Sequence, residues 1–354
     1  GASCLQAPNE QGGVSRSSCS HDCLYLNIWT KEVATSGKPV MVWIHGGGYM
    51  SGSTANPMYD GEFFVRNLKK GEDCVFVSIN YRLSFPGGCD LSVLEGYTDE
   101  YADAVNLTKL DQMQALKWIN KNIGAWGGDA DNITILGQSS GGGAVYHLMA
   151  DPDANRYFNR AIEQSGAPMF KVIMETKEEA RENSKRIFEI LGVNTVEELV
   201  SLSDAAILDK IKEIHAKIFT GARYADGNIC SATWWDDFRN GSAKNIDLLI
   251  GSMNGENDGN SLDPDNYPEP VKDHTIIYNR LKQRYKSTPD EYGVLNPFNY
   301  DGLIDEYLTL GNDKVLLMQD LGKTLPPHIP PCLLPRHSQC GIKIPIYITG
   351  NTRP

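Results

Sequence analysis

The sequence has eight cysteines (Cys4, Cys19, Cys23, Cys74, Cys89, Cys230, Cys332 and Cys340) but no Cys-x-x-Cys pair. Structural zinc sites are built on such close thiolate pairs, so none is expected, and eight cysteines in 354 residues are too sparse for a disulfide scaffold. No apolar run approaches the ~20 residues that span a bilayer. No Lys/Arg cluster forms a phosphate-binding patch, and the formal net charge is −12, so nucleic acid is not an expected partner. The acidity reads as a solvated surface. There is no internal repeat and no low-complexity linker, which excludes solenoid and tandem architectures. No leader peptide is visible in the polar residues after Gly1. Sequons stand at Asn106, Asn132 and Asn240 and would matter only in a secreted eukaryotic protein, so secreted and cytoplasmic locations both stay open. Nothing in the pattern speaks to oligomeric state.

What is present is a chain 41% hydrophobic, long enough for one large α/β domain or two ordinary ones. Strand-like runs recur at Leu24–Trp29, Val40–Ile44, Val75–Ile79, Ile133–Leu136, Arg160–Gln164, Ile246–Ile250 and Ile344–Ile348. Between several of them the apolar spacing becomes helical, as over Leu110–Ile123 (Leu110, Met113, Leu116, Trp118, Ile119, Ile123). This alternation predicts an α/β fold with a mostly parallel central sheet flanked by helices. The charged stretch after the fifth run predicts one helix over Glu175–Ile190 and two shorter ones within Thr195–Ile214. We therefore expect a single domain over residues 1–354 with a helical cap insertion at about 170–240.

Two motifs carry chemistry. Gly137-Gln138-Ser139-Ser140-Gly141 follows the apolar run Ile133–Leu136 and precedes a helix-like stretch, Gly142–Ala150. This is a nucleophile elbow in its strand-to-helix setting, where the serine stands on a strained turn and a β-carbon at either flanking glycine would strike backbone. His45-Gly46-Gly47-Gly48 follows the strand-like Val40–Ile44. Acyl transfer builds negative charge on the substrate carbonyl oxygen, and each backbone N–H aimed at it is worth roughly 3–4 kcal/mol. A glycine triplet by itself is a flexible loop. Coupled to an elbow about 90 residues later, it reads as an oxyanion hole.

Further segments recur with these in a fixed order: Ser20-His21-Asp22-Cys23-Leu24-Tyr25-Leu26-Asn27, Trp43-Ile44-His45, Asn80-Tyr81-Arg82, Leu110-Asp111-Gln112, Gly127-Gly128-Asp129 and Gln164-Ser165-Gly166. As a set, from Cys4 to about Gly259, they resemble the type B carboxylesterase/cholinesterase family. The resemblance implies an α/β-hydrolase fold and a triad in the order serine, acid, histidine. It makes Ser139 the nucleophile, and Gly47, Gly48 and the Ser140 N–H the oxyanion hole. The acid corresponds to Glu256, five residues after the glycine that closes a strand, with Asp258 as the competing assignment. Ser165 matches a serine near the triad that supports its hydrogen bonds, although a purely structural role fits as well. Cys4 and Cys23 match the family's first disulfide, which in an oxidising compartment would contribute about 3 kcal/mol, with Cys19 close enough to compete.

The resemblance leaves the histidine without a place. After the acid only His274, His328 and His337 remain, and none lies in a glycine-rich loop of the family's kind. Cys340–Ile348 resembles the strand that precedes that loop, so the base is expected beyond Pro354, with His337 or His328 as the candidates inside the chain. Family members also carry strands before the segment that matches Cys4, so the sequence reads as incomplete at both ends. His21 stands where the family has a glutamate that pairs with the arginine matching Arg82. Asp22 is the nearby replacement, and an unpaired buried guanidinium would cost about 3–5 kcal/mol. Ser84, Val105 and Thr108 replace glycines and are expected to carry strain wherever φ is positive. Gln138 replaces the glutamate before the nucleophile, removing a negative charge. No tryptophan precedes Cys23, which disfavours a choline-binding ring and hence a true cholinesterase.

The function implied is hydrolysis of small-molecule carboxylic esters through an acyl-enzyme on Ser139, with no metal or organic cofactor required. Amides are poorer candidates because their leaving group is poorer. The rival expectation is a catalytically silent family member used for protein contacts.

Overall fold

The computed structural model describes residues 1–251, except 10–11, 34–35, 70, 167–173, 219–222, 225, 228, 232–236 and 239. Six strands make its central sheet: β1 (Leu26–Trp29), β2 (Lys38–Ile44), β3 (Val75–Ile79), β4 (Gly128–Gln138), β5 (Arg160–Gln164) and β6 (Asp247–Gly251). Their order across the sheet is β6-β5-β4-β2-β3-β1, and only β1, paired with β3, runs antiparallel. Six of the expected strands are these. Ile344–Ile348 lies outside the described residues. Leu24 and Tyr25, expected inside the first strand, precede it and are exposed.

The sheet is covered on both faces, and composition explains why. All five residues of β3 are buried, as a two-sided apolar run requires. Helix α1 (Gly61–Asn67) lies against β3 and β1, and α2 (Leu107–Asn122) lies against β4. Helix α2 starts three residues before its expected position and runs on as a 3₁₀ turn to Trp126. Its buried stripe is Met113, Leu116 and Ile119, continued by Ile123, and each full burial is worth roughly 1.5–3 kcal/mol. Helix α3 (Ser140–Ala150) is buried along its whole length and packs on β4 and β5. Such a helix must be small or apolar all round, and the run Gly141-Gly142-Gly143-Ala144-Val145 meets that need.

Three further helices, α4 (Lys177–Leu191), α5 (Val196–Ser201) and α6 (Asp204–Lys217), belong to a second hydrophobic cluster with Leu5, Val14, Leu91 and Leu94. Their ends are chemically marked. Thr176 with Glu179, and Thr195 with Glu198, form capping boxes, and Gly192 ends α4 in the left-handed region at φ +74°.

Cys4 and Cys23 are joined as a disulfide with Cα atoms 4.8 Å apart, and Cys19 stays a buried thiol whose pKa burial pushes up. Asn106 is fully buried and bonded to both backbone groups of Tyr224, so a glycan on its side chain would not fit this fold.

One expectation about the substituted positions is corrected and another is narrowed. Arg82 does not pair with Asp22. Its Nε and Nη2 donate to Asp111 at 2.8 and 2.7 Å, and its backbone N–H to the same carboxylate at 3.0 Å. Asp22 is exposed and accepts the Tyr25 hydroxyl. Helix α2 carries Asp111 against Arg82 and supplies the charge. His21 instead meets Asp204 of α6, Nδ1 to Oδ1 at 2.7 Å. Of the three glycine replacements, Ser84 alone has positive φ, at +31°. Thr108 sits in α2 and donates to Arg82 O at 2.7 Å, so its side chain is used rather than strained.

Candidate active site

Parallel strands deliver their carboxyl ends to one edge of the sheet. The register pairs Ile44 with Gly137, Gln138 with Gln164, and Gln164 with Gly251. His45, Ser139 and Ser165, which follow these strands, are therefore neighbours. In open α/β sheets the crevice beyond such ends is where ligands bind.

Ser139 has φ +57° and ψ −127°. For a non-glycine residue this costs about 1–3 kcal/mol and persists only when the surroundings enforce it. They do so from both sides. The Ser139 N–H donates to Gln164 O at 2.9 Å, and its carbonyl accepts the Gly143 N–H at 3.0 Å. A β-carbon on Gly137 would lie 2.4 Å from the Gly141 backbone, and one on Gly141 would lie 2.1 Å from Ile44 O. The glycines are there for close approach of β4, α3 and β2. Neither has positive φ.

The His45–Gly48 loop lies directly against this turn. A β-carbon on Gly46 would stand 3.1 Å from Ser139 Cβ and 2.5 Å from Gln138 O. Gly47, at φ +117°, passes so near Ser51 that a β-carbon would fall 2.1 Å from Ser51 O. Gly48, at φ +64°, has open space where its side chain would be, the nearest atom being Met50 Cε at 3.8 Å. Loop and elbow are tied together by the Tyr49 N–H, which donates to Ser140 Oγ at 3.2 Å. Ser139 also precedes the first residue of α3, so the positive end of the helix dipole faces this space.

Sequence reasoning missed three side chains that hold the frame. The His45 imidazole is buried, stacks on Tyr81 with centroids 4.4 Å apart, and bonds through Nδ1 to Gly46 O at 2.9 Å. Complete burial pulls its pKa down to about 4, against the opposing hydrogen bond to Gly46. The Tyr81 hydroxyl donates to His45 O. Glu163, 1% exposed in β5, accepts the Gly166 N–H, and Gly166 itself lies so close that a β-carbon would be 2.4 Å from Ser139 O. Glu163 falls in alternation with Ala161 on the buried face of β5, and that register was the available signal.

The other candidates divide sharply. Ser165 stands at the same edge at φ +50°, its N–H donating to Gly251 O at 2.8 Å. Glu256, Asp258, His274, His328 and His337 lie outside the described residues. Among the described residues no group of three or more His, Cys, Asp or Glu could hold a metal, and no helix is long and apolar enough to cross a membrane.

The geometry has close counterparts. The model of the carboxylesterase family matches residues 1–312. Para-nitrobenzyl esterase of Bacillus subtilis is 35% identical over 247 residues, which are 67% of this chain and 47% of that protein. Cholinesterase 1 of Branchiostoma lanceolatum is 33% identical over 260 residues, 67% of this chain and 68% of that protein. Among solved structures, a carboxylesterase of Geobacillus stearothermophilus superposes with a TM-score of 0.74 at 28% identity, covering 94% of this chain and 66% of that one. The chain thus spans about half the length of the Bacillus relative it matches. It belongs to the carboxylesterase family and has the family's α/β-hydrolase fold.

Proposed function

We propose that the protein is a serine hydrolase of small-molecule carboxylic esters, with Ser139 as nucleophile. The observation that carries this reading is the strained Ser139 turn, pressed against a glycine loop whose Gly48 leaves room for a ligand. Ser139 Oγ attacks the ester carbonyl carbon and its proton passes to a histidine. The bond to the alcohol oxygen breaks, and the alcohol leaves with that proton. Water, deprotonated by the same histidine, then attacks the acyl-enzyme, releasing the acid and restoring Ser139. The N–H groups of Gly47, Gly48 and Ser140 hold the oxyanion in both steps. Glu256 orients the histidine, and Ser165 supports the triad. The histidine is His337 or His328 if the chain supplies it, and otherwise one beyond Pro354.

The test is mass spectrometry of the full-length protein after incubation with a fluorophosphonate, alongside hydrolysis of p-nitrophenyl butyrate. The expected result is one adduct on Ser139, absent after denaturation, with both labelling and hydrolysis lost in Ser139→Ala. Hydrolysis that survives Ser139→Ala would overturn the assignment.

A further inference from the structure

The three N–H groups assigned to the oxyanion share a construction. A peptide unit is planar, so whatever grips its carbonyl oxygen also sets the direction of the N–H at its other end. The Ser140 N–H shares a plane with Ser139 O, which is held by the Gly143 N–H at 3.0 Å. The Gly48 N–H shares a plane with Gly47 O, held by the N–H groups of Met50 and Ser51 at 3.1 and 3.0 Å and by the Ser51 hydroxyl at 3.2 Å. The Gly47 N–H shares a plane with Gly46 O, and the group on that oxygen is His45 Nδ1 at 2.9 Å. Two of the donors are aimed by backbone. The third is aimed by a side chain, between two glycines whose peptide rotates at little cost.

We propose that His45 is a positioning residue of the oxyanion hole: its Nδ1–H grips the Gly46 carbonyl and thereby aims the Gly47 N–H at the substrate oxygen. The proposal rests on the assignment of Gly47 as an oxyanion donor. A carbonyl oxygen only accepts, so Nδ1 carries the ring proton. The ring is clamped in turn. It stacks on Tyr81 within 14° of parallel, Tyr81 fixes the His45 carbonyl, and Gly52 makes room for it, since a β-carbon there would lie 2.3 Å from Nδ1. Without the grip, the Gly46–Gly47 peptide can turn over and present a carbonyl to the developing oxyanion.

The test compares His45→Phe, His45→Asn and His45→Gln in the full-length protein. Phenylalanine keeps the stack and loses the donor. Asparagine places an amide N–H near the Nδ1 position, whereas glutamine places it near Nε2. Ester hydrolysis is measured together with inhibition by an aliphatic trifluoromethyl ketone, which binds serine as an oxyanion, and by the matching methyl ketone. Losing an oxyanion donor outright lowers kcat by about 10²–10³, so misaiming one should lower it by roughly 10- to 100-fold. In His45→Phe we expect that fall in kcat, a similar weakening of the trifluoromethyl ketone, and KM and methyl ketone affinity within about twofold. His45→Asn should recover most of the loss and His45→Gln should not, a contrast that stands even if His45→Phe fails to fold. Equal losses in His45→Asn and His45→Gln, or wild-type kinetics in His45→Phe, would overturn the proposal. A wild-type protein that binds both ketones equally would sink the oxyanion assignment itself, and this proposal with it.

Discussion

The strand-end frame around Ser139 and the helical region α4–α6 are built on opposite principles. In the frame, backbone touches backbone. Gly46, Gly137, Gly141 and Gly166 each stand where an added β-carbon would come within 2.5 Å of main-chain atoms. In the helical region the glycine that ends α4, Gly192, has nothing within 4 Å and is present for its φ of +74° alone. There, side chains do the holding: capping boxes at Thr176 and Thr195, and buried Ile187, Phe188, Ile211 and Ile214. A region in which strands, turn and loop meet backbone to backbone leaves no volume for side chains. A region that only covers a core can be assembled from ordinary amphipathic helices.

The contrast is most exposed at Gly141. In Gly141→Ala the new β-carbon would meet Ile44 O at 2.1 Å and His45 C and O at 2.8 Å, atoms that cannot rotate away. Overpacking of this kind costs about 1–3 kcal/mol or more, and the shift it forces displaces Ser139. We expect at least about a 100-fold loss of kcat/KM, the penalty of an approximately 1 Å misplacement. Wild-type kinetics in Gly141→Ala would break the comparison at its strongest point.

A second effect of the frame depends on pH. The pKa of His45 is pulled from 6.5 to about 4 in the folded protein, so the unfolded chain binds a proton that the folded one refuses. This contribution is fully present above about pH 6.5 and is lost as the pH falls toward 4. The full difference is about 3 kcal/mol at 1.36 kcal/mol per unit. Urea melts at pH 7.0 and 4.5 should show a smaller acid loss in His45→Phe than in the wild type. Equal losses would mean the ring is not held neutral.

The ion pair at Arg82 gives an effect of similar size. Asp111→Ala removes the partner of a largely buried guanidinium and should cost about 3 kcal/mol in urea unfolding, whereas Asp22→Ala should stay within about 0.5 kcal/mol. The reverse ranking would restore the pairing with Asp22 suggested by its place beside His21.

The smallest effect lies in the helices. Thr195→Ala deletes the N-cap of α5 and should lower stability by about 1 kcal/mol with kcat/KM unchanged. Lost activity there would show that the helical region acts on the site.

The strands were legible because each is a compact apolar run, and the elbow because three fixed positions followed one of them. Helix ends at Thr176 and Gly192 could be read from local cap chemistry. The partner of Arg82 could not. Asp22 adjoins His21, the position where the resemblance puts the pairing carboxylate, but α2 brings Asp111 against Arg82 instead. Which of Ser84, Val105 and Thr108 would carry strain was open for a related reason, and only Ser84 has positive φ. A glycine's replacement tells nothing of φ until the helix it joins is known.

By itself, the sequence determined the order of strands and helices, the tight strand-to-helix turn at Ser139 and the family, because these depend on hydrophobic period and on short motifs whose residues are contiguous. Tertiary structure alone decided which glycines are needed for contact and which for φ. It also decided that His45 is buried and neutral, and that Asp111 neutralises Arg82. Each of these depends on atoms brought within a few ångströms by strands and helices distant along the chain, and no local pattern encodes such a distance.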